Sequence, residues 1–376
     1  MSLRLLLSCG EPSGDVYAGA LVRALNALSP GADVFGLGGP AFAAAGGRLI
    51  EDFSRLTVTG LTEVLAKIPA LHAAKRRLVE AARTERPDAL VVIDFSGFNL
   101  RLASDIHALG IPVIYYISPQ VWAWRSGRIK TIARTARRVL VIFPFERAIY
   151  EQAGVPVEFV GHPLIDLIPA VPPRADYLRA HGLDPARPVV ALLPGSRTGE
   201  VHRILPVLAG AISLIRARVP DAQFLVAQAP GLADDLFAPV RGISGCTVVR
   251  GEADAVLASS DVVVTASGTA TVQTALHGTP MVVVYKLAPL SYTMGRPLVK
   301  LETFAMVNLI AGSRIVPELI QDQCTPATVA DEAVLLLTDA ARRAAMMEGL
   351  ARVRQQLGGP GASRRAAEAI LNVVGE

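Results

Sequence analysis

Short apolar runs alternate along the chain with longer segments whose apolar residues recur at helical spacing. Residues 3–8 read as a buried strand, and 15–28 as a helix with Val16, Ala20, Leu21, Leu25 and Leu28 on one face. Further strands are predicted at 34–37, 89–93, 113–117, 139–143 and 158–160, with helices at 68–85 and 100–108 between them. Pro169, Pro172 and Pro173 then mark a linker. A second series follows, with strands at 189–193, 223–227, 247–249, 262–265 and 281–284 and helices at 204–218 and 270–277. Residues 329–374 read as largely helical. Alternation of this kind predicts parallel sheets covered by helices, an α/β chain of two Rossmann-like domains facing a central cleft.

Composition narrows the class. The chain has 376 residues, 51% of them hydrophobic, and its mean hydropathy is +0.41. No uninterrupted apolar run approaches the roughly 18 residues that span a bilayer. The N-terminus lacks a signal-peptide pattern, since Glu11 and Asp15 soon follow Leu5–Leu7. A cytoplasmic protein is expected, its hydrophobicity spent on buried strands and a membrane-facing patch. The net charge of +4 lies mostly before Pro172 and is clustered. Lys75, Arg76 and Arg77 adjoin, and Arg125, Arg128, Lys130, Arg134, Arg137 and Arg138 follow one another without an acid. Such patches suit anionic lipid or phosphorylated ligands, or simply a solvated helix face. No helix-turn-helix, zinc or RNA-binding signature is present, so nucleic acid is not an expected partner. Cys9, Cys246 and Cys324 are far apart and odd in number, which argues against a disulfide framework or a structural zinc.

Candidate chemistry sits where strands end. Gly10-Glu11-Pro12-Ser13-Gly14-Asp15 follows the first strand; its glycines admit close approach of a ligand to a helix N-terminus, and a tight turn capped by Asp15 is the alternative. Asp94, in Ile93 through Asn99, is a carboxylate at the carboxyl end of a buried strand, either a proton acceptor or a helix cap. Gly195-Ser196-Arg197, with Glu200 close behind, offers amides, a hydroxyl and a guanidinium fork that suit a diphosphate. Ser267-Gly268-Thr269-Ala270-Thr271 is a run of small residues that lets a diphosphate reach a helix start, and Gln273, one turn on, suits a ribose hydroxyl. His162, after the last strand of the first half, is a ligand residue or a satisfied structural histidine. No His/Asp/Glu spacing resembles a metal site, and GxSxG is absent. Both tryptophans, Trp122 and Trp124, fall in Tyr115 through Arg125, a strand exit where two amphipathic rings line a ligand surface or pack under a loop.

Taken in order, these blocks resemble lipid-A-disaccharide synthases, family 19 glycosyltransferases of GT-B architecture, over about residues 3 to 370. The resemblance also rests on Phe143-Pro144-Phe145-Glu146, Gly161-His162-Pro163, Asn308-Leu309-Ile310-Ala311-Gly312 and Pro317-Glu318-Leu319-Ile320-Gln321. It implies transfer of a sugar from UDP-2,3-diacylglucosamine to 2,3-diacylglucosamine 1-phosphate, with inversion, no cofactor and no required metal. It also implies peripheral attachment to the anionic inner membrane and leaves a homodimer open. The domains expected are 1–170 for the acceptor and the membrane, 171–350 for the UDP-sugar, and a helical tail, 351–376, packing back on the first. Asp94 is the expected base, with Glu11 and Asp15 as rivals. Ser13, Gly14, Asn99, Trp124, Arg125 and His162 are expected at the acceptor and its phosphate. Gly195, Ser196, Arg197, Glu200, Ser267, Gly268, Thr269, Ala270, Thr271, Gln273 and Asn308 are expected at UDP.

Three positions depart from the family pattern. Gly97 stands where a second Asp is common, Gln273 where Glu is usual, and Lys286 where Arg is frequent. They point to a divergent member with another lipid acceptor; a UDP-sugar epimerase, which shares the two-domain architecture, and a non-catalytic lipid-binding relative are separate alternatives.

Overall fold

A computed structural model describes residues 3–56, 61–119, 127–287 and 303–376, with the backbone alone at 55 and 61–67. The chain divides into two compact units, Met1–Leu167 with Leu357–Glu376, and Ile168–Gln356.

The first unit is built on a parallel sheet of β1 (Arg4–Cys9), β2 (Asp33–Gly38), β3 (Arg48–Asp52), β4 (Ala89–Ile93), β5 (Val113–Tyr116), β6 (Ala136–Val141) and β7 (Val157–Phe159), in the order β3-β2-β1-β4-β5-β6-β7. β4 and β5 are buried along their whole length, as expected of strands covered on both faces by helices. The strand order reverses between β1 and β4, where Cys9 pairs with Ile93. The loops leaving these two strands, 10–15 and 94–99, therefore start side by side. This is the topological switch point at which open α/β sheets bind ligands.

The second unit repeats the plan with β8 (Val189–Leu193), β9 (Gln223–Gln228), β10 (Cys246–Arg250), β11 (Val262–Ala266), β12 (Met281–Tyr285) and β13 (Glu318–Ile320), ordered β10-β9-β8-β11-β12-β13. Its switch point lies between β8 and β11, where Leu193 pairs with Thr265. The Gly195 loop and the Ser267 loop leave from there. The expected two-sheet α/β architecture is the one found. Two strands, β3 and β13, carried no readable pattern. β3 is a half-exposed edge strand and β13 has three residues.

The last helix, Ala362–Gly375, belongs to the first unit. Asp166 caps it, its two carboxylate oxygens accepting from Gly361 N at 2.6 Å and Ser363 N at 2.9 Å. Glu376 pairs with Arg137 at 3.0 Å and Arg138 at 2.9 Å. Two charges of the basic stretch are thus spent on holding the C-terminus. Lys75 likewise pairs with Asp105, and Arg77 with Glu51.

Among the described residues one helix, Thr198–Arg218, is long and apolar enough to cross a membrane. Its face of Val201, Ile204, Leu205, Leu208, Ile212 and Ile215 is buried in the second unit, the pattern of a core helix.

Candidate active site

At the switch point of the first unit the backbone is strained. Asp94 and Phe95 have φ of 43° and 46°, and Ile117, beyond β5, has φ of 60°. Side chains rarely occupy this left-handed region, and each residue held there costs roughly 1–3 kcal/mol. The turn is fixed by Asp94 N, which donates to Ile117 O at 3.0 Å. Phe95 stacks on Phe98 at 5.3 Å. A Cβ at Gly10 would lie 2.2 Å from the Phe95 ring, so glycine is required there by close approach. The turn presents Asp94 half-buried at the end of β4. Burial first, and the Asp94 charge second, push the Tyr17 phenol upward, so the carboxylate lies within electrostatic range of Tyr17. Next to it, Arg128 donates to Ser96 Oγ at 2.8 Å.

Three residues expected in catalytic or ligand roles are turned inward. Asp15 is 4% exposed. Its carboxylate accepts from Gly39 N and Ala41 N at 2.8 Å and from Phe42 N at 3.0 Å. It anchors the start of the helix Pro40–Ala44 and is not poised as a base; the cap it forms belongs to this other helix, not to its own. Asn99, also buried, accepts from Ser8 Oγ at 2.6 Å and donates to Ser8 O, Ile93 O and Asp94 O. It cross-braces the ends of β1 and β4. His162 is 2% exposed, with Phe143 and Tyr17 against its ring. Its Nδ1 accepts from Leu164 N at 3.2 Å, which places the proton of the neutral ring on Nε2. Burial pushes its pKa down to about 3, so it is uncharged at neutral pH and brings no cation to a phosphate.

Glu11, Ser13 and Gly14 stay near the site. Glu11 precedes the helix Pro12–Leu28, whose ladder begins with Asp15 N donating to Glu11 O. The N–H groups of Ser13 and Gly14 lie ahead of that ladder, where a helix attracts anions. Val16, expected on the buried face of this helix, is 42% exposed. Trp122, Trp124 and Arg125 lie outside the described residues.

In the second unit Gly195 has φ of 122°, and a Cβ there would meet Glu200 Oε2 at 2.5 Å. Glu200 accepts from Ser196 N at 3.1 Å and pairs with Arg197 at 3.4 Å. The loop thus holds its own carboxylate, which fixes the Arg197 fork at the start of the helix Thr198–Arg218. Arg203, which the sequence did not single out, donates from Nε to Lys286 O at 3.3 Å. Burial raises the neighbouring Tyr285 phenol, with Glu200 adding and Arg197 and Arg203 opposing. Two guanidinium groups therefore converge near the end of β12.

Across the switch point Gly268, at φ 151°, precedes the helix Thr269–His277, and among the described residues open space lies where its Cβ would be. Thr271 is turned inward, its hydroxyl donating to Gly268 O at 2.8 Å. Asn308 is 1% exposed and spends its amide internally. It donates to Val316 O and Glu318 Oε1 and accepts from Ile315 N and Val316 N. It holds a turn rather than reaching outward. Among the described residues no three His, Cys, Asp or Glu side chains are grouped as metal ligands.

The comparisons with known proteins converge. A family model described as lipid-A-disaccharide synthetase matches residues 5–373. The chain is 43% identical to a lipid-A-disaccharide synthase of Geobacter metallireducens, covering 99% of this chain and 98% of that one. It is 44% identical to the one of Koribacter versatilis, with 99% and 98% covered. Among solved structures, the UDP-GlcNAc 2-epimerase of Neisseria meningitidis bound to UDP-GlcNAc superposes with a TM-score of 0.69 at 12% identity, covering 99% of this chain and 100% of that one. The glycotransferase of kitacinnamycin superposes at 0.65 and 18% identity, with both chains fully covered. At such identities these two establish the GT-B fold alone. Sequence identity across the full length does more: the chain belongs to the lipid-A-disaccharide synthase family, glycosyltransferases of lipid A biosynthesis.

Proposed function

We propose that this chain transfers the sugar of UDP-2,3-diacylglucosamine to the 6-hydroxyl of 2,3-diacylglucosamine 1-phosphate, inverting the anomeric carbon and releasing UDP. Asp94 takes the acceptor proton. The observation that carries this reading is the strained turn at 94–95, which presents one half-buried carboxylate at a switch point. Asp15 has its carboxylate filled by amides and drops behind Glu11 as a rival. In-line displacement needs a base on one side and charge stabilisation for the departing diphosphate on the other. The second is the work of the Gly195–Arg197 amides and guanidinium, the Gly268–Ala270 helix start, and Gln273 at the ribose. The Ser13–Gly14 amides, with Trp124 and Arg125, hold the acceptor and its phosphate. The acyl chains lie on apolar surface beside the basic 75–77 segment, which faces an anionic membrane surface.

The test is Asp94→Asn assayed with both lipids. Turnover should fall by roughly 10²–10⁴, the share of a general base, while UDP affinity is kept. Undiminished turnover transfers the role to Glu11. Release of UDP without the acceptor lipid points instead to an epimerase-like or hydrolytic activity and refutes the transfer.

A further inference from the structure

Arg203 stands on the helix Thr198–Arg218, one turn past Gly199, and positions at that spacing share a face. Its guanidinium folds back along the helix. Nη2 lies 2.9 Å, and Cζ 3.7 Å, from where a Cβ on Gly199 would be, so the glycine leaves the room that the guanidinium takes. At its other edge, Nε donates to Lys286 O at 3.3 Å, one residue past β12. The helix follows β8, Lys286 follows β12, and β11 lies between those two strands. Arg203 therefore links the elements that flank the exit of β11, from which the Ser267 loop leaves. It is half-buried there, and among the described residues no carboxylate pairs with it. The neighbouring cations are placed differently. Arg197 is 59% exposed and opposed by Glu200 at 3.4 Å, and Lys286 turns its ammonium to Cys324 O at 3.3 Å. The Arg197–Glu200 pair adds little net charge to the loop, whereas a diphosphate is a polyanion.

We infer that Arg203 is a second guanidinium of the donor diphosphate site: Nε is spent on Lys286 O, which fixes the plane of the fork, and the Nη edge beside Gly199 donates to a phosphate oxygen. The inference rests on the reading of Gly195–Arg197 as the diphosphate loop. It supplies that loop with the net positive charge that the Arg197–Glu200 pair does not. The charge sits half-buried, where a charge-assisted hydrogen bond is worth more than in open solvent. Arg203 thereby separates a nucleoside diphosphate from the bare nucleoside, which makes no call on the cation.

The experiment is calorimetric titration of the full chain with UDP, and with uridine by competition, at low and high salt. Arg203→Gln should weaken UDP by about ten- to hundredfold, the worth of a hydrogen bond to a charged group, and leave uridine within about twofold. It should also flatten the salt dependence of UDP binding, because a screened charge has gone. Arg203→Lys keeps the charge and should hold the wild-type salt dependence with a smaller loss of UDP. Unchanged UDP affinity in Arg203→Gln overturns the inference. So does an equal loss of UDP and uridine, which would assign Arg203 to the shape of the strand exits alone. A loss in Arg203→Lys as large as that in Arg203→Gln overturns it too, since the bond to Lys286 O would then be what mattered. Arg197→Gln separates the two ideas. If it loses UDP selectively while Arg203→Gln does not, the loop reading stands and the role of Arg203 falls. If neither variant changes the preference for UDP over uridine, the diphosphate lies elsewhere and both fall.

Discussion

Asp15 separates a structural carboxylate from a catalytic one. Replacing it with alanine removes the acceptor for Gly39 N, Ala41 N and Phe42 N in a site where the side chain is 4% exposed. Each hydrogen bond to a charged group is worth about 1.5–3 kcal/mol, but three donors on one turn are not additive. The loss of an ordinary helix cap, about 1 kcal/mol, sets the lower bound. A cost of about 3 kcal/mol is expected. At roughly 2–4 °C per kcal/mol for a unit of this size, the melting transition of the first unit should fall by about 6–12 °C. Asp15→Asn keeps one oxygen, which serves Gly39 N and Phe42 N from the Oδ1 position. Its NH2 then opposes Ala41 N, leaving one partly buried donor unmet at about 1–2 kcal/mol. Scanning calorimetry gives the transitions, and UDP release at a temperature where the variant is folded gives activity. Folded Asp15→Asn should retain most of its turnover. An unchanged melting temperature together with lost turnover would refute the argument and make Asp15 part of the chemistry.

Two other outcomes follow from the geometry. The pKa of His162 is about 3 in the folded chain against 6.5 in the unfolded one. The folded state then binds fewer protons, so the stability present above pH 6.5 is lost progressively as pH falls toward 3, by about 2 kcal/mol at pH 5. His162→Gln should flatten this part of the urea midpoint against pH between 6.5 and 5; an unaltered slope would place the titration elsewhere. Gly97 is exposed in the first turn of the helix Ser96–His107, with open space among the described residues where its Cβ would lie. Gly97→Asp should stabilise by about 0.5–1 kcal/mol through helix propensity and the helix dipole, measured as a urea midpoint. If Asp94 is the base, this substitution changes turnover by less than about threefold; a tenfold gain would show that the second acid was wanted.

Much of the site was legible as position and little of it as role. The loops at 10–15, 94–99, 195–200 and 267–271 were marked by strand endings, glycines and polar side chains, and all four lie at switch points. The residues within them divided in ways no spacing announces. Asp15 and Asp94 each follow a buried strand by a few residues. One turns into the protein to meet three amides, and the other stays half-buried in a left-handed turn. Asn99, His162 and Asn308 looked like ligand residues because they are polar and sit in marked blocks. Their partners, Ser8, Leu164 and Val316 among them, lie on a neighbouring strand, at the start of the next helix and in a following loop. Tyr17 and Arg203 carried no local signal at all. Each matters through a neighbour distant in sequence, Asp94 and Lys286.

The alternation of apolar runs with helical spacing was enough to specify two parallel sheets, because burying a strand on both faces leaves a continuous apolar signature in the chain itself. The glycines at 10 and 195 were visible too, though not what crowds them. What only the tertiary structure decided is the direction of each polar side chain at the strand ends. A carboxylate or an amide takes whichever partners the fold brings within about 3 Å, and those partners stand anywhere from 2 residues away, as Leu164 does from His162, to 91, as Ser8 does from Asn99.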